Sequence, residues 1–151
     1  MPREGSQRII HVLLWIAQVL LAAAFLAIGL VKLFVPTAEM PSQLAWTGDV
    51  PPMMLRVNGL AEVFGAVGLI APSALRVAPR LTSLAGAGLA LIMAMAMGFR
   101  LAREEMYVWP VNATLMLLSA FVAWGRAFWA PILSRRRDEA VSALRQQMAN
   151  V

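Results

Sequence analysis

Ionisable side chains lie within or at the ends of otherwise apolar stretches of this sequence. Lys32 ends the first stretch, Glu62 lies inside the second, "RVNGLAEVFGAVGLIAP", and Arg100 ends the third. A charge at the centre of a membrane-spanning helix costs about 2.5–3.5 kcal/mol on insertion scales, so such residues face a protein interior and pair with one another. We therefore expect Glu62 to face away from lipid, with Lys32 or Arg100 as its counter-ion.

Amide side chains accompany these charges at helical spacing. Asn58 lies one turn before Glu62, and Asn112 opens the fourth apolar stretch. The residues that share one face of each stretch are Gln18, Phe25, Gly29 and Lys32; Asn58, Glu62 and Gly65; Ala96, Arg100 and Glu104; and Asn112, Ser119 and Arg126. Because each is the polar face of an otherwise apolar helix, we predict that the four faces point towards each other.

An outward-facing polar pocket at the outer end of a helical bundle is predicted from this arrangement. Its predicted residues are Lys32, Asn58, Glu62, Arg100 and Asn112. Such a group could hold a polar head such as a quinone carbonyl, or act as acid and base. The alternative is a buried ion pair that only fixes the register of the helices. For Gln18, we expect an interhelical hydrogen bond rather than a ligand contact.

The composition assigns the chain to the membrane. Of its 151 residues, 60% are hydrophobic and 14% are charged, and the mean hydropathy is +0.71. Soluble domains are nearer half apolar and a quarter charged. The stretches long enough to cross the hydrocarbon core are about 9–35, 54–70, 81–99 and 108–130. The predicted fold class is all-α, an integral membrane up-down four-helix bundle formed by residues 1–133, followed by a polar basic tail, 134–151.

The same composition excludes several function classes. With no cysteine and a single histidine, His11, one copy of the chain cannot build an iron–sulfur cluster, a thiolate zinc site or a bis-histidine haem. We predict no metal site and no covalently bound cofactor. The net charge of +5 reflects arginine-rich ends, and no motif of interleaved basic and aromatic residues indicates a nucleic-acid partner.

Basic residues concentrate on one side of the predicted membrane. Nine of the thirteen fall on the side that holds both termini, namely Arg3, Arg8, Arg76, Arg80, Arg126, Arg135, Arg136, Arg137 and Arg145. Cytoplasmic segments of membrane proteins carry an excess of lysine and arginine. Both termini are therefore predicted to be cytoplasmic.

Three segments and their order carry a family resemblance. They are "QVLLAAAFLAIGLVKLF", "LAWTGDVPPMMLRVNGLAEVFGAVGLIAP" and "MAMAMGFRLAREE", followed by Asn112 and Arg126 in the last span. From about residue 18 to 126 the chain resembles the DoxX-like family of small four-helix bacterial membrane proteins. The first matching feature is a lysine that closes helix one, here Lys32. The second is a Gly-x-x-Glu-x-x-Gly pattern in helix two, here Gly59, Glu62 and Gly65. The third is an acidic residue after helix three, here Glu105.

One departure from the family pattern affects the expected chemistry. The family commonly has a histidine near the end of helix three, in a His-x-x-x-Gly-Glu pattern, where this chain has Arg100 and Glu104. A proton-transfer role for that histidine is not carried over. A permanent cation facing Glu62 is expected in its place.

The resemblance implies a multi-pass protein of the bacterial inner membrane, with the lipid bilayer as its first partner. The family is named for a relative linked to thiosulfate:quinone oxidoreductase, and other relatives resemble assembly or trafficking factors. We therefore expect a membrane subunit of an oxidoreductase that binds a quinone-like or other small amphipathic molecule, with a quinone as the candidate cofactor. The alternative is a non-enzymatic membrane scaffold or assembly factor for a membrane or peripheral protein partner.

Cysteine labelling tests the predicted orientation, because the chain has no native cysteine. In spheroplasts, Asp49→Cys in the first loop should react with a membrane-impermeant maleimide. Ser142→Cys in the tail should react only after the inner membrane is opened. The reverse labelling pattern would place both termini outside and contradict the prediction.

Overall fold

The computed structural model describes residues 4–39, 45–104 and 109–149, and the regular structure in these residues is helical with no strand. The helices are α1 (Glu4–Phe34), α2 (Pro52–Leu75), α3 (Arg80–Leu101), α4 (Trp109–Trp124) and α5 (Arg135–Ala149). A 3₁₀ turn (Ala45–Asp49) precedes α2, and a π-helical turn (Gly125–Trp129) extends α4. The all-α fold class is confirmed.

Within the described residues, four helices are long and apolar enough to cross a membrane: Gly5–Phe34, Pro52–Leu75, Arg80–Leu101 and Trp109–Trp129. The largest difference from the predicted bounds is in α2, which continues past Ile70 and through Pro72. Its last turn is held against α3 by the buried Ser73 hydroxyl, which lies 2.7 Å from the Thr82 hydroxyl. This contact gives the turn a packing partner, so one proline does not end the helix.

The four spanning helices pack as a closed ring. α1 packs on α2, α2 on α3 and α3 on α4, and α4 returns to α1. The apolar core between them includes Leu14, Leu21, Phe25, Leu69, Leu89 and Val122. The opposite faces carry many exposed large apolar side chains, which is what a lipid solvent favours. The side of the membrane on which the termini lie stays a prediction.

The contact between α1 and α2 depends on two glycines. A Cβ on Gly59 would lie 2.9 Å from the Lys32 Cβ and 3.0 Å from the Gly29 carbonyl oxygen. A Cβ on Gly29 would lie 2.9 Å from the Gly59 carbonyl oxygen. Small residues at these positions let the two backbones approach closely, and this approach sets Lys32 against α2.

Alanine substitution of one of these glycines should separate the helices. We expect Gly59→Ala to lower the free energy of unfolding by about 1–3 kcal/mol, because the added methyl group meets a backbone carbonyl that cannot turn aside. Circular dichroism during unfolding in detergent measures the change. The matched control is Gly88→Ala, since a Cβ there meets nothing within 4 Å. The packing argument fails if the two variants are equally stable.

Candidate functional site

Lys32 and Glu62 form a buried ion pair between α1 and α2. Lys32 lies in the last turn of α1, and its Nζ donates a 2.5 Å hydrogen bond to Oε1 of Glu62. Only 4% of Lys32 and 1% of Glu62 is exposed. Arg56 donates a 2.7 Å hydrogen bond to the Lys32 carbonyl, one of those that a helix C-terminus leaves without an intrahelical partner. Of the two expected counter-ions, the structure therefore pairs Lys32 with Glu62.

The ion pair leaves one carboxylate oxygen unused. Glu62 Oε2 is buried, and no described residue donates a hydrogen bond to it. The side-chain nitrogen Nδ2 of Asn112 is also buried and has no acceptor among the described residues. A buried polar atom without a partner costs about 1–3 kcal/mol. The other buried side-chain atoms without a partner among the described residues are Trp109 Nε1, Ser119 Oγ and Arg126 Nη2. Glu62 Oε2 and Asn112 Nδ2 are thus an acceptor and a donor that a further group could use.

A seven-residue spacing aligns α1 with α4. The Nε of Arg126 donates a 2.6 Å hydrogen bond to Oε1 of Gln18, which fixes the register of the two antiparallel helices. Each step of seven residues along both helices rises by about 10 Å and returns to nearly the same face. The resulting layers are Gln18 with Arg126 (the Arg126 layer), Phe25 with Ser119 (the Phe25 layer) and Lys32 with Asn112 (the Lys32 layer). Asn112 therefore lies at about the height of Lys32.

Arg100 and Asn58 lie at the edge of the Lys32 layer. Both side chains are half-buried. Arg100 lies in the last turn of α3, and Asn58 lies one turn before Glu62 on α2. The Lys32 layer and its edge thus hold one carboxylate and three cations, Lys32, Arg56 and Arg100, with amide groups on α2 and α4.

The inward polar face of α3 does not extend past Arg100. α3 ends at Leu101, and Glu104 is exposed with a positive φ of 59°. The prediction that Glu104 continues this face is wrong, because the helix has ended before it. Glu105, the acidic residue that the family resemblance named after helix three, lies outside the described residues.

A second polar cluster occupies the Arg126 layer. Gln18, which accepts from Arg126, donates from its Nε2 a 2.5 Å hydrogen bond to the Leu69 carbonyl of α2. The predicted interhelical role of Gln18 is confirmed. The sequence predicted that Arg126 lies on the inward face of α4, counted it among the topology charges and matched it to the family pattern, but did not predict its partner. The seven-residue spacing it shares with Gln18 was the signal that could have joined them.

Two apolar clefts lie on the outer faces of the bundle. The first, about 320 Å³, lies between α1 and α2 and is lined by Ala22, Ala23, Leu26, Ala66, Val67, Ile70 and Ala71. The second, about 480 Å³, lies between α3 and α4 and is lined mainly by small residues, including Ser83, Ala87, Ala90, Ala120, Ala123 and Ala127. None of the five predicted site residues lines either cleft.

The sequence model of the DoxX-like family matches residues 16–122. This chain belongs to the DoxX-like family. The match includes all five predicted site residues and stops before Arg126. No curated protein and no solved structure matches the chain significantly. The family and the four apolar helices together establish a multi-pass membrane protein.

Substitutions at the ion pair should be strongly non-additive. Lys32→Met alone leaves a buried carboxylate without its cation, and we expect it to lower the free energy of unfolding by about 3–5 kcal/mol. The double variant Lys32→Met with Glu62→Gln removes both charges and should be more stable than Lys32→Met alone. Unfolding of all four proteins of the cycle in one detergent gives the coupling energy.

An exposed ion pair in the same chain is the control for this cycle. Arg103 and Asp49 lie 2.6 Å apart, with 31% and 56% of their side chains exposed. Partly exposed pairs contribute about 0–1 kcal/mol, so Arg103→Met should change stability little. Additive effects at Lys32 and Glu62 would show that the buried pair carries no coupling.

Proposed function

We propose that this DoxX-like membrane protein binds the polar head of a small amphipathic molecule in the Lys32 layer and serves as the membrane subunit of an oxidoreductase. The observation that carries the proposal is an unpartnered acceptor, Glu62 Oε2, together with an unpartnered donor, Asn112 Nδ2, both buried. Lys32 holds the Glu62 carboxylate through its other oxygen. Arg100 and Asn58 complete the proposed site at its edge.

A quinone is the proposed cofactor, because its two redox forms use both unpartnered atoms. The oxidised form presents a carbonyl oxygen, which the Asn112 amide would donate to, and the reduced form presents a hydroxyl, which Glu62 Oε2 would accept from. Each redox form would pair one of the two buried atoms, so a site that holds both forms in turn uses both atoms. The Glu62 carboxylate is also the group that would take a proton from a bound hydroxyl.

The electron donor or acceptor of the proposed reaction would belong to a partner protein. The chain has no cysteine and one histidine, so its own side chains offer few ligands for a redox centre. The role assigned to this chain is to bind the head group, orient it and hold its proton at Glu62.

The cleft between α1 and α2 supports a ligand with an apolar tail. Ala66, which lines this cleft, follows Glu62 by one turn of α2. An isoprenoid or acyl chain attached to a head group near Glu62 could lie in this cleft along the outside of the bundle. The proposed ligand class is therefore a tailed quinone rather than a free polar metabolite.

A scaffold or assembly factor is the second candidate function. The cleft between α3 and α4 favours it, because small residues on an outer helical face allow close approach of another helix. In this alternative the Lys32 layer has a structural role, and the partner helix packs against Ala87 and Ala120.

Binding of a short-chain benzoquinone to the purified full-length protein tests the first proposal. We expect saturable binding, followed by mass spectrometry and by quenching of tryptophan fluorescence. Asn112→Leu should weaken binding of the benzoquinone, and Glu62→Gln should weaken binding of the reduced benzoquinol, each about tenfold or more, because each removes one hydrogen bond to a buried group. Both variants should keep their helical content.

The control for this experiment is Thr114→Val. Thr114 is exposed on α4, and its hydroxyl donates to the Pro110 carbonyl of the same helix. Its substitution should leave quinone binding unchanged. The proposal fails if no quinone binds or if Glu62→Gln changes only stability. A stoichiometric protein partner that is retained by Glu62→Gln and lost by Ala87→Phe would favour the scaffold.

A further inference from the structure

We propose that the Arg126 layer binds a phosphate group, at a site separate from the Lys32 layer and about 20 Å from it by helical rise. Arg126 is only 4% exposed. No carboxylate of the described residues lies within ion-pair distance of it. Lys32, which is equally buried, has Glu62 as its counter-ion. Of the two buried cations among the described residues, Lys32 thus has a carboxylate partner and Arg126 has none.

Neutral acceptors hold the Arg126 guanidinium. Besides its bond to Gln18, its Nη1 lies 3.1 Å from His11 Nδ1 and 3.4 Å from the Ala130 carbonyl oxygen. The Trp15 ring lies beside it, with the guanidinium carbon 5.3 Å from the ring centroid. These contacts orient the guanidinium, but none of them carries a negative charge. An arginine held in this way retains its full attraction for an anion.

The cluster has more hydrogen-bond donors than acceptors. Trp15 Nε1 donates to His11 Nε2 at 3.2 Å, while Arg126 Nη1 faces the other ring nitrogen. Indole and guanidinium groups can only donate, and a neutral imidazole has one acceptor nitrogen. One of the two contacts must therefore bring two hydrogens together. A phosphate oxygen inserted at that contact would supply the missing acceptor.

The second terminal nitrogen of Arg126 indicates where the anion would bind. Nη2 is buried and has no acceptor among the described residues, so its N–H groups are available. Phosphate oxygens match the fork of a guanidinium in two parallel, charge-assisted hydrogen bonds. His11, which is exposed, and Trp15, which is partly exposed, cover the guanidinium.

The position of Arg126 in the bundle fits a lipid phosphate as the source. The residue lies about one turn from the end of the spanning segment Trp109–Trp129, inside the π-helical turn. Such turns are frequent at functional sites. This end of the bundle carries most of the basic residues, which attract anionic lipids. Free phosphate has the same chemistry and is the other source.

Lipid binding by the full-length protein tests the proposal. Native mass spectrometry in phosphate-free detergent would count bound phosphatidylglycerol, and thermal unfolding would follow the effect of inorganic phosphate. We expect Arg126→Gln to bind phosphatidylglycerol about 10- to 100-fold more weakly than the wild type, because a charge-assisted hydrogen bond is lost. Arg126→Lys, which keeps the charge without the fork, should fall between them.

The matched control is Arg76→Gln, which removes the same charge from the same end of the bundle. Arg76 is exposed and paired with Asp138 at 3.1 Å, so phosphatidylglycerol binding should not change. If Arg126→Gln does not fold, the comparison rests on Arg126→Lys and on His11→Ala, which uncovers the guanidinium and should retain binding.

The outcomes separate the sources of phosphate. Phosphatidylglycerol bound by the wild type and by Arg76→Gln, but not by Arg126→Gln, supports a lipid headgroup. If inorganic phosphate stabilises the wild type and Arg76→Gln but not Arg126→Gln, and phosphatidylglycerol does not bind, the source is free phosphate. Equal responses of the wild type, Arg126→Gln and Arg126→Lys, or no response at all, would overturn the site. Benzoquinone binding should not change in Arg126→Lys, so the two proposals fail independently.

Discussion

Hydrocarbon does not solvate a charge, so the carboxylate of Glu62 needs a partner inside the protein. The structure of this protein depends on how that partner is supplied. The carboxylate lies in the second spanning helix, where only a cation from another helix can compensate it. Gly29 and Gly59 let α1 come close enough for Lys32 to reach it, and Arg56 ties down the end of α1 beside the pair. The close approach of the two backbones, the register of the helices and the compensation of the Glu62 charge therefore depend on one another.

Much of the fold could be predicted because a bilayer simplifies the relation between sequence and structure. Four apolar stretches of sufficient length leave few alternatives to four spanning helices, and helical phase shows which face of each carries the polar residues. The ends of the helices were harder to predict. Ser73 packs against α3, and α2 continues through Pro72. Glu104 lies in a turn with a positive φ, which helical periodicity does not predict.

The residues of the candidate site could be predicted from the sequence, but not which of them form an ion pair. Helical phase turns Lys32, Glu62 and Asn112 inward, yet it does not show which of two cations reaches the carboxylate. That choice depends on the height at which each side chain enters the bundle, and Lys32 enters at the level of Glu62. Helical phase likewise predicts that Arg126 points inward, but it does not identify the partners of its side chain. Those come from α1, more than a hundred residues away along the chain.

The Phe25 layer has an electrical consequence. Phe25 is fully buried midway between the two charged ends of the bundle. Its ring acts as an insulating septum between the two polar layers, because the buried Ser119 hydroxyl in the same layer is one polar group and not a row along which water or protons could pass. Most of the transmembrane voltage should therefore fall across this septum. The protein can therefore hold ionised groups at both ends of the bundle without opening a path for ions through its interior.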